Sequence, residues 1–107
     1  MNANRLRSGN KREIYVLADR DGSSEYSDFV KGLQRKAQEK IATRIVYLSE
    51  ADLPITNPDI SRKLTDEIYE LKVRTTNLFI RILYFFYKRD VVITLSRATL
   101  FPSTGVG

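Results

Sequence analysis

The side chains best suited to chemistry lie between residues 60 and 90. Seven bases (Arg62, Lys63, Lys72, Arg74, Arg81, Lys88, Arg89) stand there against four acids. The alternating run Glu67–Thr75 sets Tyr69, Leu71 and Val73 on one face of an extended strand, and Glu70, Lys72 and Arg74 on the other. Period-two geometry also places Lys63 with Lys72 and Arg74, opposite the apolar set. Arg81 is the sole charge inside the apolar stretch Leu78–Tyr87. That position is costly unless the guanidinium is paired or open to solvent. Two readings stand open. Arg81 pairs with Glu70 or emerges at a strand edge, with a structural role only. Alternatively, these cations converge on an uncovered face and grip phosphate, because guanidinium forks donate two parallel hydrogen bonds to such groups.

Catalysis by such a cluster is physically possible, and RNA cleavage is one reaction it could serve. The reaction needs an activated 2′-hydroxyl, a stabilised pentacoordinate phosphate and a protonated leaving oxygen, and Lys and Arg supply the electrostatic part without a metal. The chain has no His and no Cys. That excludes an imidazole base, a thiolate nucleophile, a disulfide framework and the commonest metal ligands. The base then falls to Lys, Glu or Tyr, and Glu70 and Tyr87 are the candidates. No glycine-rich nucleotide loop, serine elbow or calcium loop occurs, so no cofactor and no metal are expected. The run Tyr84–Tyr87 has the rings to stack on bases, although aromatics in a central strand read first as core.

Regular elements must hold these residues. Glu13–Ala18 is β-prone and reads as a strand, followed by the turn Asp19–Ser24. Ser23 or Ser24 then caps a helix whose apolar face is Tyr26, Phe29, Val30 and Leu33. A second helix is predicted over Arg35–Glu50, with Ala37, Ile41, Ile45 and Leu48 as its stripe. Pro54 and Pro58 make 51–60 a loop. Ser61–Leu64, Glu67–Thr75, Leu78–Tyr87 and Val91–Leu95 read as strands. The pattern predicts an α+β fold: a small antiparallel sheet of three to five strands, with an N-terminal two-helix hairpin packed on one face.

With 107 residues the chain is one domain's worth, and its net charge of +5 is unevenly spread. Residues 1–12 carry four bases and no acid, whereas residues 13–95 carry thirteen of each. The predicted organisation is a flexible basic arm (1–12), a single domain (13–95) and an irregular, truncated-looking tail (96–107). The nucleic-acid argument therefore rests on placement within residues 60–90, not on total charge. No apolar run reaches the ~18–20 residues of a membrane span and the start lacks a signal-peptide core, so a cytoplasmic protein is expected.

The order and spacing of these motifs resemble the RelE superfamily of toxins, and most of all its HigB branch. The resemblance rests on Lys63-Leu64 before a turn, the strand Tyr69-Glu70-Leu71-Lys72-Val73-Arg74, a hairpin, and Arg81-Ile82-Leu83-Tyr84-Phe85-Phe86. It covers about Glu13–Leu95, including the helical stretch from Ser27 to Leu48. It implies a toxin of a bacterial type II toxin–antitoxin pair, a metal-independent endoribonuclease that cleaves mRNA in the ribosomal A site. It also implies a cognate antitoxin of helix-turn-helix type, and operator DNA bound through the complex. By matching position, Lys63, Arg74 and Arg81 would be catalytic or phosphate-binding. Arg62, Lys72, Lys88, Arg89 and Arg97 are expected as further RNA contacts. The family's basic C-terminal segment and final helix have no counterpart after Leu95, which leaves a catalytically weak binding module as the alternative, beside a ParE-like gyrase inhibitor. The apolar outer face of Leu78–Tyr87 also calls for a cover, and a homodimer is one expectation.

Overall fold

A computed structural model describes residues 2–100. The chain runs β1 (Asn2–Ser8), β2 (Glu13–Ala18), α1 (Glu25–Lys31), α2 (Arg35–Glu50), β3 (Ser61–Lys63), β4 (Tyr69–Arg74), β5 (Leu78–Tyr87) and β6 (Asp90–Leu100). All six strands form one sheet in the order β1-β2-β6-β5-β4-β3.

Local chemistry accounts for the helices. Ser24 caps α1, its hydroxyl accepting from the Ser27 N–H at 3.1 Å, which satisfies one of the free first-turn donors. Along α2, Ala37, Ile41, Ile45 and Leu48 are buried as their 3.6-residue spacing predicts. Both helices pack on the same sheet face. The core there joins Tyr26 and the α2 stripe to Ile14, Val16, Leu71, Val73, Ile80, Ile82, Tyr84, Val91 and Ile93. Bases on α2 also close the edge of β4 beyond β3. Lys40 Nζ donates to the Arg74 carbonyl at 3.1 Å, and Arg44 Nε to that of Lys72 at 3.2 Å.

The sheet corrects the fold expected from sequence. It has six strands rather than three to five, and it is mixed rather than antiparallel, because β2 pairs parallel with β6 through Ile14↔Val91 and Val16↔Ile93. A parallel pair needs a long crossover, and residues 19–89 supply it. Nor do the helices form an N-terminal hairpin, since two strands precede them. The expected flexible arm is largely β1, zipped antiparallel onto β2 from Asn2↔Ala18 to Ser8↔Glu13. Its charges are matched by tertiary partners. Arg5 pairs with Glu13 at 3.1 Å, Arg7 with Glu50 at 3.8 Å and Lys11 with Asp52 at 3.3 Å. Arg12 is buried and donates to the Leu48 carbonyl. The turn after β1 presses on the end of α2: the N–H groups of Lys11 and Arg12 both donate to the Ser49 carbonyl. A Cβ on Gly9 would lie 2.4 Å from Ser49 Cβ, so only glycine fits this approach.

The other end departs similarly. Residues 96–100, expected to be irregular, continue β6 against β5, from Ile82↔Ser96 to Leu78↔Leu100. The rest of the expected tail, 101–107, lies outside the described residues. One extra β6 residue between Ile93 and Ser96 forms a bulge. It restores the alternation so that Ser96 faces the core and Arg97 the opposite side.

Candidate functional site

The helices cover one face of the sheet, and the alternate residues of β4, β5 and β6 present a different chemistry on the other. Register places Lys72 beside Arg81 and Arg81 beside Arg97, one cation per strand in a single row. In the next row Arg74 pairs with Phe79 and Phe79 with Thr99, and on the other side Arg62 pairs with Glu70 and Glu70 with Leu83. Cross-strand neighbours on one face have Cβ atoms about 5 Å apart. Lys72, Arg81 and Arg97 therefore span only about 10 Å.

Three like charges in a row repel, and the surroundings offset this in two ways. The first is Glu70. Its carboxylate is 2% exposed and lies between two guanidinium groups, with Arg62 Nη2 at 3.6 Å from Oε1 and Arg81 Nε at 3.4 Å from Oε2. Oε1 makes no hydrogen bond among the described residues. The second is Phe79, whose ring carries the Arg81 guanidinium at 4.7 Å and that of Arg74 at 5.0 Å. The ring face is electron-rich and attracts both cations. At the end of the row, Arg97 lies 3.9 Å from Glu25, whose carboxylate also accepts from the Ser96 N–H.

The two readings of Arg81 left open by sequence thus hold together. The side chain pairs with Glu70, yet it remains 50% exposed. The pair uses Nε, and the terminal nitrogens of Arg81 make no hydrogen bond among the described residues. With Nε turned to the carboxylate and the side chain half exposed, the terminal nitrogens are left for a ligand such as phosphate, which a guanidinium binds through two parallel hydrogen bonds.

Not every expected site residue belongs to this group. Arg74, Arg81, Lys72, Arg97 and Arg62 share the helix-free face. Lys63 does not, because its partner is Tyr69 and it stands on the helix side of the sheet. There it lines a cavity of about 570 Å³ between β3, β4, β5 and the loop at Leu53–Ile55. Lys88 and Arg89 sit in the β5–β6 turn, where Lys88 has a left-handed φ of 58° and its ammonium lies 5.5 Å from the Tyr87 ring centroid. At ~3.3 Å per residue the turn is roughly 20 Å along the strand from Arg81. Tyr87, one candidate base, is at that far end and 55% exposed. Glu70, the other, is a buried counter-ion. Sequence reasoning missed Phe79 and Glu25. Phe79 was findable, since it is two residues before Arg81 on the same strand and must share its face. Glu25 was not, because its role depends on where α1 docks against β6.

Comparison with known proteins gives one family. The model of the family described as phage-derived protein, Gp49-like, matches residues 28–98. That span runs from α1 into β6 and contains all the cations of the candidate site, while β1 and β2 lie outside it. No curated protein and no solved structure matches the chain.

Proposed function

The chain belongs to the phage-derived Gp49-like family, a toxin-like family of toxin–antitoxin systems related to the RelE superfamily, and we propose that it is a ribosome-dependent mRNA endoribonuclease of the HigB kind. Family membership implies an antitoxin partner. The proposal adds the ribosome and mRNA as target, and operator DNA reached through the antitoxin complex.

One observation carries the reading: the row Lys72, Arg81 and Arg97 across three adjacent strands, with Arg74 and Arg81 both resting on Phe79. As the 2′-oxygen attacks the adjacent phosphorus, negative charge grows on the two non-bridging oxygens. The guanidinium groups of Arg81 and Arg74 donate to those oxygens; Phe79 underlies both and Glu70 pairs with Arg81, so little reorganisation is needed at the transition state. Lys72 and Arg97 flank Arg81 and hold the neighbouring phosphates of the strand. The 2′-hydroxyl gives its proton to solvent water as the 2′-oxygen–phosphorus bond forms, and the 5′-oxygen takes a proton from water as its own bond to phosphorus breaks, leaving a 2′,3′-cyclic phosphate and a 5′-hydroxyl. None of these roles requires a metal. Arg62 supports the site by sharing the Glu70 carboxylate, and Lys88 and Arg89 lie too far away to touch the same phosphates.

Induction in growing bacteria tests the reading. Wild-type protein is expected to arrest growth and protein synthesis. Arg81→Ala, at equal soluble level, is expected to relieve arrest, because losing one preorganised donor costs about 10²–10³ in rate. Equal arrest by both would refute the cation-row mechanism. Supercoiling loss without mRNA cleavage would replace it with a gyrase target.

A further inference from the structure

We infer that the cavity lined by Lys63 receives one nucleobase of the bound RNA, with Lys63 on the adjoining phosphate. This rests on the RNA-cleaving function proposed above and assigns that substrate a second subsite, across the sheet edge from the first. The cavity volume of about 570 Å³ falls within the roughly 300–1,000 Å³ of small-ligand sites.

Its lining suits a base. The half-buried rings of Tyr69 and Phe86 meet edge to face at 5.1 Å, and Tyr69 stacks on Tyr84 at 5.5 Å. Every base has a π-face that stacks on such rings whatever its identity. At the buried end, Ser61 Oγ and Tyr84 Oη are hydrogen-bonded at 2.7 Å. Burial pushes the Tyr84 hydroxyl above its ordinary pKa, so it stays protonated and the pair offers a polar point in an apolar wall. At the mouth, Lys63 is exposed and makes no ion pair among the described residues.

The topology connects this cavity to the cation row. β3 is the last strand of the sheet. Arg62 stands on the helix-free face beside Glu70, and Lys63, one residue on, stands on the helix side beside Tyr69. An RNA backbone that leaves the row past Arg62 and turns over this edge meets Lys63 next, with no further strand among the described residues in the way. An apolar peptide side chain would use the rings but neither the hydroxyl pair nor the unpaired ammonium. The combination favours a nucleotide.

The test uses the full chain and a single-stranded RNA decamer with one 2-aminopurine and a terminal dye, so that anisotropy reports binding and 2-aminopurine emission reports stacking. Wild type is expected to bind and quench. Tyr69→Leu should lose the quench and about tenfold in affinity. Lys63→Ala, an exposed substitution that leaves the core untouched, should lower the slope of log affinity against log salt by about 0.7. Binding without quenching, or a salt slope unchanged in Lys63→Ala, overturns this inference, leaves the RNA reading intact and hands the cavity to a protein side chain. Absence of any RNA binding by wild type also overturns this inference, while the ribosome-dependent reading fails only if wild type leaves mRNA intact with ribosomes present.

Discussion

Replacing Glu70 should cost little stability, while replacing its two partners should cost much. The carboxylate is 2% exposed, whereas the side chains of Arg62 and Arg81 are 54% and 50% exposed. In Glu70→Met the buried charge disappears together with its desolvation cost and its orphaned Oε1, and both guanidinium groups can turn to water. Exchange of a buried ion for an apolar side chain of similar length is often neutral or better, so stability should move by no more than about 1 kcal/mol, or about 4–8 °C in Tm for a domain of this size. Arg62→Met/Arg81→Met reverses the situation. The stems remain, but Glu70 keeps its charge in a buried position with no counter-ion. Stranding a buried charge costs about 3–5 kcal/mol, a fall in Tm of at least roughly 12 °C. Urea titrations of the three proteins at pH 7 give the comparison, with the m-value checking that the unfolding remains two-state. Cleavage should fall in both variants, because Glu70→Met also releases Arg81 from its place over Phe79. Equal destabilisation by the two variants, or a Glu70→Met protein as active as wild type, would refute the role given to this carboxylate.

Other expectations follow from single contacts. Gly9→Ala forces a Cβ to within 2.5 Å of the Ser49 carbonyl oxygen, so chemical denaturation should show a loss of about 1–3 kcal/mol, not rescued by Ser49→Ala because backbone remains in the way. Acid stability should depend on Glu13 and Glu50: the Ser8 hydroxyl and then Arg5 hold the first below its ordinary value of 4.5, and the Asn10 N–H does most to hold the second there. Depressed carboxylates stabilise fully above the unfolded value, and this is lost as pH falls through the folded one. Glu13→Gln/Glu50→Gln should therefore show a flatter decline below about pH 4.5. Burial pushes Tyr26 up to about 12 from 10.0, so an absorbance titration should show a late phenolate step missing from Tyr26→Phe. The corresponding stability is intact below pH 10 and lost as pH rises toward 12.

The parts of the fold legible in the sequence are those whose hydrophobic period is self-contained. The α2 stripe and the Ser24 cap belong to this class, as does the alternation of Tyr69, Leu71 and Val73. β1 was illegible because Asn2–Ser8 has no apolar alternation and becomes a strand only through β2, Glu13 and Glu50. Extension of β6 to Leu100 was hidden by the bulge, which breaks strict period two between Ile93 and Ser96. Lys63 shows the same sensitivity at the site. The face of a strand side chain flips with a one-residue change of register, and a three-residue strand followed by a turn carries no pattern to set it. Arg74, by contrast, lies on a strand whose alternation sets its face, whereas Arg81 stands in a stretch apolar on both faces, and the register Lys72↔Arg81 decides its side.

Primer extension on mRNA from a reconstituted translation reaction tests the central claim most directly. With ribosomes present, wild-type protein should produce discrete stops within translated codons, absent when ribosomes are omitted, and upstream fragments that end in a 2′,3′-cyclic phosphate. Arg81→Ala should reduce those stops about a hundredfold or more while remaining folded. Full-length mRNA after incubation with folded wild-type protein, or cleavage unchanged in Arg81→Ala, would contradict the account.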